Sequence, residues 1–407
     1  MKNIQNKITP LFDSECATIV TACSNEYVNY FCVLLKSMLY YSNPNRNYEI
    51  ILLNEKISEK NINRIKSVVS EKENFFVRFV HINDKMFPLN LDSACENQHF
   101  TKETFYRICF PNITDGYKKI IYIDVDIILQ DDIYKLWEFP LKEKTICACR
   151  DLVMNGWYNQ VDEIRNHLNN ELKLKNYRDY FQCGVMIIDV EKYKKSECQK
   201  KMLDLLKTTK LKCADQDLFN ILFENDVNFL PPEWNYENEC YSLKDSKRIN
   251  FMDEQAKKAY LKSKKAPKII HYVGSAKPWA YPDEDLSEQW WFFARMLDFY
   301  PEILERTLIL VSSMRTELRR SHLPNIAHQF GRIRAELENK HFPIINYHDK
   351  LLYVMQRIPY FELKKFMYKL KKSFSFGERH KYYQEKYNRT KKLIKDAKAL
   401  KKQYKIV

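Results

Sequence analysis

The chain has 407 residues, enough for one large α/β domain with an appendage, and its 14% aromatic content argues against global disorder. Only 6 residues are glycine, and neither GxGxxG nor GxxxxGK[ST] occurs, which excludes nucleotide binding through those glycine-rich loops. The net charge is +14, of which residues 361–407 contribute +12. The basic character therefore belongs to a C-terminal tail, which indicates an attachment device and argues against a basic active-site groove.

Cysteine usage and hydropathy indicate the compartment. None of the 11 cysteines forms a CxxC pair, and several fall within apolar runs, which is typical of buried free thiols in a reduced compartment. The N-terminal residues 1–7 lack the apolar core of a signal peptide, and no run approaches the ~20 apolar residues that span a bilayer. We therefore expect a cytoplasmic protein whose contact with the cytoplasmic membrane is peripheral, on its inner face.

The first third of the chain alternates apolar strands with amphipathic helices. Strands are predicted at 16–22, 48–53 and 75–82, with helices at 28–41 and after Ser58. Strands that are apolar almost throughout, alternating with helices, are typical of a doubly wound sheet that is mainly parallel. In such sheets ligands bind beyond the carboxyl ends of the strands. Further elements are predicted as helices at 101–110 and 194–207, a helix start at 215, and strands at 145–151, 181–190 and 268–272.

The run 119–129 is predicted as a buried strand that carries two carboxylates, Asp124 and Asp126. Side chains two apart on a strand share a face, so the two acids should flank Val125 and converge. An unpaired buried carboxylate is costly, and a converging pair is typical of a Mg²⁺ or Mn²⁺ site. The alternative is a bend with two solvated aspartates.

Other polar residues near predicted strand ends have two interpretations each. Arg107 is a cation just before the carboxylate strand, and it is either a site residue or a structural arginine. Asp215 and Asp217 begin a predicted helix, where acids also simply complement the helix dipole. His271 ends the last predicted strand and precedes Gly274 and Lys277, which favours a ligand over a structural histidine.

Four strings carry a further signal: Ile123–Asp126, Phe181–Val185, Asp215–Asp217 and His271–Trp279, the last matching HxxGxxKPW. Together they resemble glycosyltransferase family 8, the retaining α-glycosyltransferases that include builders of bacterial lipopolysaccharide and glycogenin. The resemblance covers roughly 16–295. It implies a Rossmann-like nucleotide-sugar transferase fold of the GT-A type with a mainly parallel mixed sheet and a helical C-terminal extension. We expect a catalytic domain at 1–285, a helical extension at 286–360 and the basic aromatic tail at 361–407.

The resemblance also implies roles at matching positions. Asp124, Asp126 and His271 would hold Mn²⁺, with Mg²⁺ as the alternative, against the diphosphate of a UDP-sugar. The other implied donor contacts are Lys277 and Gly274 at the diphosphate, Tyr27, Asn25 and Val125 at the nucleotide, and Arg107, Asp151 and Asp215 at the sugar. Gln216 lies where the family places the group nearest the anomeric carbon, with Asp217 as the alternative nucleophile. The first turn, Ser24–Tyr27, departs from the family's acidic-Asn-Tyr pattern.

The implied function is a retaining hexosyltransferase that moves glucose or galactose from a UDP-sugar to a lipopolysaccharide, capsule or other lipid-linked glycan. An amide at Gln216 is a poor nucleophile, which favours same-face attack over a covalent intermediate. The aromatic and basic tail favours an anionic membrane surface, with a solvated helical extension as the alternative and no nucleic acid expected. A non-catalytic or nucleic-acid-binding protein and a self-glucosylating enzyme like glycogenin are the competing functions.

Overall fold

In the computed structural model, the described residues are 7–12, 15–83, 86, 102–238, 248–282, 284–320 and scattered positions between 384 and 398. Side chains are described to residue 310 in the helix that ends at 320. The chain divides into two compact units, Met1–Leu297 and Asp298–Val407. Most of the predicted extension and tail (321–407) lies outside the described residues, and the predicted domain bounds stay a prediction.

Seven strands of the described residues form the main sheet, in the order β3-β2-β1-β4-β7-β6-β8. All neighbours are parallel except at β7, which runs antiparallel to both β4 and β6. The mainly parallel mixed sheet is therefore confirmed. The strands are β1 Cys16–Ala22, β2 Asn47–Asn54, β3 Phe75–His81, β4 Lys119–Ile123, β6 Ile146–Arg150, β7 Phe181–Asp189 and β8 Val227–Phe229.

The first unit also contains a second sheet of three short strands. Its order is β5 (Ile127–Leu129), β10 (Ile269–His271) and β9 (Tyr236–Glu237). The prediction of one strand at 119–129 is wrong, because the chain leaves the main sheet after Ile123 and re-enters pairing in this second sheet. β5 pairs antiparallel with β10, which places His271 opposite Ile127. The break brings the residues between β4 and β5 beside the end of β10.

Helices cover the main sheet as the apolar periodicity predicts. Helix α1 buries its apolar face, and Ser58 caps α2 by accepting from the amide of Asn61. The helix predicted at 194–207 is interrupted at Glu197, whose φ of 50° ends one helix and starts the next. Bounds are α1 Val28–Tyr41, α2 Glu59–Val69, α3 Lys102–Ile113, α4 Tyr134–Trp137, α5 Leu152–Gln160, α6 Asp162–Asn166, α7 Val190–Lys195, α8 Cys198–Leu206, α9 Asp215–Phe223, α10 Glu254–Lys265 and α11 Ser287–Ala294.

The segment 152–180, between β6 and β7, is a largely helical insertion. After α5 and α6 it contains a π-helical turn, His167–Glu171, and a short 3-10 turn, Tyr177–Asp179. Leu168, Leu172 and Tyr180 pack with Met154 in a small apolar cluster of their own. This insertion, called the inserted segment below, thus has a small apolar core of its own.

The second unit contains α12, Tyr300–Arg320, within its described part. Across the described residues of both units, no helix combines the length and apolarity needed to cross a membrane. The nine cysteines that the structure describes are free thiols, and eight of them are buried. Burial raises the pKa of most of these thiols, to about 12 for Cys32, which keeps them protonated and unreactive.

Candidate metal centre and its surroundings

Asp124, Asp126 and His271 meet at the junction of the two sheets. The two aspartates occupy the break between β4 and β5, and His271 is the last residue of β10. One ligand atom from each lies within 4.8 Å of the others. The Nε2 atom of His271 is 3.2 Å from Asp126 Oδ1 and 3.9 Å from Asp124 Oδ2. The three predicted metal ligands are therefore brought together in one cluster.

A chain of hydrogen bonds orients the His271 ring. The amide of Gly184 donates to Oε1 of Gln182, which also accepts from Nδ2 of Asn235 at 3.0 Å. The remaining side-chain atom of Asn235, Oδ1, lies 3.0 Å from Nδ1 of His271. Since this oxygen only accepts, Nδ1 carries a proton, and Nε2 is the ring nitrogen that faces the aspartates. The cluster thus offers two carboxylates and an imidazole nitrogen as possible metal ligands.

Gly184 lets the strand backbone approach the cluster. A Cβ added at this position would collide with Cε1 of His271 and lie 2.8 Å from Oδ2 of Asp124. The Gly184 carbonyl also accepts from the amide of Asp124 at 2.8 Å. The glycine in the Phe181–Val185 string is therefore required by space, because any side chain would occupy the volume of two of the three ligands.

Lys277 lies against the second aspartate. Its ammonium group pairs with Oδ2 of Asp126 and also donates to the carbonyl of Tyr272 at 2.5 Å. Gly274, in the turn between them, has a φ of +69°, a conformation that favours glycine. Burial alone would raise the pKa of Asp126, but Lys277 and His271 hold it well below its usual range.

The first aspartate is in a different electrostatic situation. Burial, together with the charge of Asp126, raises the pKa of Asp124 above its usual range although Arg107 opposes the shift. Two neighbouring carboxylates repel, so the second is harder to ionise than the first. A divalent cation between them would remove this repulsion. The pair therefore has the electrostatics of a cation site.

Arg107, on α3, links the cluster to a third carboxylate. It is 4% exposed, its Nη2 donates to Oδ1 of Asp124 at 2.9 Å, and its Nε lies 2.8 Å from Oδ2 of Asp215. The guanidinium also lies over the ring of Tyr122. Arg107 is thus a buried bridge between two acids. Its burial agrees with a structural arginine, and its contact with Asp124 agrees with a site residue.

Asp215 is the first residue of α9, and its side chain is buried. Burial raises its pKa to about 7, against the pull of Arg107. The residue before it, Ala214, has φ 49° and ψ −129°, which is strained for a residue with a side chain. Strain of this kind persists where surrounding contacts hold it, so the start of α9 is tightly placed by its neighbours.

Gln216 follows and is held by two partners. Its Nε2 donates to Oδ2 of Asp151 at 2.9 Å, and its Oε1 accepts from the amide of Cys183 at 3.2 Å. Asp151 in turn caps α5 through the amide of Met154. The amide of Gln216 thus connects the inserted segment to β7 at the edge of the cluster.

Asp217 is fully buried and its carboxylate is occupied. Oδ1 accepts from the hydroxyl of Tyr180 at 2.6 Å, and Oδ2 accepts from the amides of Lys212 and Cys213 at 2.8 and 3.0 Å. The Nε2 atom of His167 lies 2.9 Å from the same Oδ2. With four donors around it, this carboxylate is a structural centre, and its surroundings give no support to Asp217 as a nucleophile.

The predicted nucleotide residues lie on the turn after β1 and near the end of β10. Tyr27 is 41% exposed and meets Trp279 edge to face, 6.1 Å between ring centroids. Asn25 binds the next turn instead of facing outward: its Oδ1 accepts from the amide of Ser58 and from Nδ2 of Asn61. Val125 is buried between the two aspartates.

Sequence reasoning missed two residues of this region, Asn235 and His167, and it did not connect Gln182, in the Phe181–Val185 string, with Asn235. Asn235 lies 36 residues from His271, and no motif spacing connects them. His167 sits in a polar stretch without periodicity. Their roles arise only when β9, β7 and the inserted segment are packed together.

Three named bacterial proteins are similar to this chain in sequence. The chain is 25% identical over 271 residues to general stress protein A of Bacillus subtilis, covering 65% of this chain and 88% of that one. It is 24% identical over 271 residues to a lipopolysaccharide 1,2-glucosyltransferase of Escherichia coli, covering 65% and 73%. Glycosyltransferase GlyF of Streptococcus pneumoniae is 25% identical, with 71% of this chain and 64% of GlyF covered.

Solved structures agree on the fold. The bifunctional glycosyltransferase WbbM superposes with a TM-score of 0.66 at 26% identity, over 74% of this chain and 53% of WbbM. The galactosyltransferase LgtC, solved with donor and acceptor sugar analogues, superposes with a TM-score of 0.57 at 22% identity over 69% and 96%. Both support a GT-A type fold. Residues 18–283, which include all four motifs and well over half of the chain, match glycosyl transferase family 8, and the chain belongs to that family.

Proposed function

We propose that this chain is a metal-dependent retaining hexosyltransferase that moves glucose or galactose from a UDP-sugar to a cell-surface glycan. The observation that carries the proposal is the cluster of Asp124, Asp126 and His271 with Lys277 beside it. Two carboxylates, an oriented imidazole and a cation suit a metal-bound diphosphate. No glycine-rich phosphate loop occurs in the sequence to do this instead.

The donor set favours Mn²⁺, with Mg²⁺ as the alternative, because carboxylates suit both ions while an imidazole nitrogen suits the softer Mn²⁺ better than the hard cations Mg²⁺ and Ca²⁺. Asp124, Asp126 and His271 would hold the ion, which would supply positive charge to the leaving diphosphate. Asn235 keeps Nε2 of His271 available for it. Lys277, released from Asp126 when the ion binds, would pair with the diphosphate beside the backbone of Gly274.

The remaining proposed contacts with the UDP-sugar are made to its uracil and to its sugar. Tyr27 offers an exposed ring for the uracil, in contact with Trp279. Arg107 and Asp215 form a polar pair suited to sugar hydroxyls, because guanidinium N–H groups donate hydrogen bonds and carboxyl oxygens accept them. Asp151 would also contact the donor sugar, and Val125 would contact the nucleotide.

Transfer proceeds with same-face attack. The acceptor hydroxyl oxygen bonds to the anomeric carbon on the face from which UDP leaves, and its proton passes to the departing phosphate oxygen. Gln216 is an amide and Asp217 is surrounded by donors, so neither offers a free carboxylate for a covalent intermediate. Gln216 instead holds its position beside the donor sugar.

The acceptor class is proposed from one relative, which is named as a lipopolysaccharide 1,2-glucosyltransferase. A lipopolysaccharide, capsule or other lipid-linked glycan lies at a membrane, and the tail 361–407 carries a net charge of +12 among aromatic residues. Each Lys or Arg near an anionic surface contributes about 1 kcal/mol to binding. We therefore propose peripheral attachment at the cytoplasmic face of the membrane, through this tail.

The test of the proposed activity is UDP release from a panel of UDP-sugars, with Mn²⁺, with Mg²⁺ and with a chelator. We expect hydrolysis of UDP-glucose or UDP-galactose that requires the metal and disappears in Asp126→Ala. Asp204→Ala, which removes an exposed carboxylate on α8, serves as the matched control. Absence of turnover and of binding for every UDP-sugar would refute the proposal.

The attachment has a separate test. The chain without 361–407 should no longer sediment with vesicles containing phosphatidylserine, while its UDP-sugar hydrolysis stays intact. Sedimentation that survives this deletion would show that another surface binds the membrane.

A further inference from the structure

His167 is a buried histidine in the inserted segment, away from the motifs of the family. It begins the π-helical turn His167–Glu171 and is 1% exposed. Its Nδ1 lies 2.5 Å from Oε2 of Glu171, and its Nε2 lies 2.9 Å from Oδ2 of Asp217. Both ring nitrogens therefore face carboxylate oxygens.

This geometry requires two ring protons. Ionised carboxylates accept hydrogen bonds, and a neutral imidazole has one N–H to donate. Only the imidazolium satisfies both partners at once. Burial lowers the pKa of His167, but the hydrogen bonds and charges of Asp217 and Glu171 outweigh burial and raise the pKa above its usual value.

The other titratable groups around this charge include Glu163, Lys212 and Tyr180. Glu163, on α6, interacts with the His167 charge and pairs with Lys212. Tyr180 donates to the oxygen of Asp217 that His167 leaves free. The described groups that face the ring thus comprise two contacting carboxylates and one more distant ion pair.

The Asp217 carboxylate that contacts His167 also holds the turn before α9. The amides of Lys212 and Cys213 donate to the same Oδ2 atom that meets His167. The next residue is Ala214, with its strained φ of 49°. Strained backbone persists only when its surroundings over-determine it. An ionised Asp217, held by a charged His167, supplies that constraint.

The turn delivers Asp215 and Gln216, the first two residues of α9. Asp215 meets Arg107, and Gln216 meets Asp151 and the amide of Cys183. We propose that His167, as an imidazolium clamped between Glu171 and Asp217, is a positioning residue that sets Asp215 and Gln216 for sugar transfer. The inference rests on the proposed function, and it adds an alkaline limit to activity, because loss of the ring proton breaks one of the two hydrogen bonds.

The first experiment compares pH profiles of donor hydrolysis, with UDP-glucose and UDP-galactose as probes. In the wild type, kcat should fall as pH rises through the raised pKa of His167. In His167→Gln, kcat should drop about tenfold or more with little change in KM, and this alkaline limb should be lost. Glu171→Gln keeps the ring but removes one carboxylate, so the limb should move to lower pH.

The control is Asp162→Asn, which removes an exposed carboxylate from the same inserted segment, paired with Arg165. It should leave the profile unchanged. If His167→Gln fails to fold, Glu171→Gln still decides, because Glu171 is partly exposed. Wild-type kcat and an unshifted limb in the foldable variants would overturn the proposal.

A second readout does not depend on turnover. Hydrogen exchange of the Lys212 and Cys213 amides should be at least tenfold faster in His167→Gln or Glu171→Gln at a pH where the wild-type ring is charged. Unchanged exchange would overturn the inference. If the wild type hydrolyses no UDP-sugar, the proposed function fails, while the exchange rates and an NMR titration of the His167 ring still decide whether His167 positions this turn.

Discussion

The Nδ1 atom of His271 lies 3.0 Å from Oδ1 of Asn235, and this contact determines which ring nitrogen faces the two aspartates. The oxygen assignment of Asn235 follows from its partner, because Oε1 of Gln182 already accepts from the Gly184 amide. A backbone amide can only donate, so the whole relay has one direction. The strand β7 thereby orients the ring of a residue at the end of β10.

Asn235→Leu should weaken Mn²⁺ binding by about 10- to 100-fold, the usual cost of losing the hydrogen-bond partner of a histidine ligand. Leucine keeps the side-chain size but cannot accept from Nδ1, so the ring loses its orientation. Titration of Mn²⁺ followed by electron paramagnetic resonance measures the change. Asn228→Leu, which alters a partly buried asparagine bonded to the Pro140 carbonyl, should bind Mn²⁺ normally. Equal affinities for the two variants would contradict the relay.

Gly184→Ala should abolish Mn²⁺ binding. The added methyl group would collide with the His271 ring and press on Asp124. The control is Gly116→Ala, where φ is +76° and the new Cβ would meet Pro10. That variant should lose about 1 kcal/mol of stability, because a positive φ is costly for alanine, yet keep its metal affinity. Metal binding that persists in Gly184→Ala would show that the cluster can rearrange around a side chain.

Lys277→Met should separate metal binding from transfer. Lys277 neutralises Asp126 in the metal-free protein, so its removal frees the carboxylate and Mn²⁺ affinity should stay equal or increase. Sugar transfer should fall by about 10²–10³-fold, the cost of removing a charge partner that is used in the transition state. Calorimetric Mn²⁺ titration and UDP-release kinetics measure the two effects. A parallel loss of both would mean that Lys277 serves the metal cluster alone.

Asp215→Asn should stabilise the first unit at neutral and alkaline pH. The pKa of Asp215 is about 7 in the folded protein and about 4 when unfolded, so its stabilising contribution is complete below about pH 4 and is lost as pH rises to 7. The variant should gain roughly 3–4 kcal/mol over the wild type above pH 7 and little at pH 4. All six tryptophans lie within residues 1–297, so urea unfolding followed by tryptophan fluorescence, with a chelator present, reports this unit. A pH-independent difference would contradict the assigned pKa.

Gln216→Ala should retain measurable transfer, whereas Asp126→Ala should have none. The reason is that same-face attack uses Gln216 for placement, while the diphosphate depends on the metal. Steady-state kinetics with the best UDP-sugar of the panel compare the two. Mass spectrometry of a stalled reaction provides the opposing outcome: a glycosyl adduct on Asp217 would establish a covalent mechanism, despite the four donors around that carboxylate.

Much of the main sheet could be read from the sequence because burial on both faces leaves a strong signal. The run 48–53 is apolar apart from Glu49 and became β2, every residue of which after Asn47 is buried. Helix α1 was likewise predictable from its helical spacing. The same reasoning joined β4 and β5 into one strand, because both halves of 119–129 are buried, and an apolar run does not reveal in which sheet each half pairs.

The amino-acid sequence was enough to identify the family, the fold class and the four strings near the junction of the two sheets, since each string combines chemistry-bearing residues with a local strand or helix signal. Which of these residues contact one another became known from the folded structure. The Asn235–His271 bond, the space that Gly184 leaves and the clamp on Asp217 join residues 36 to 87 positions apart along the chain. Such pairs are selected by packing geometry, and a one-dimensional pattern carries no record of the direction in which a side chain points once its element is docked.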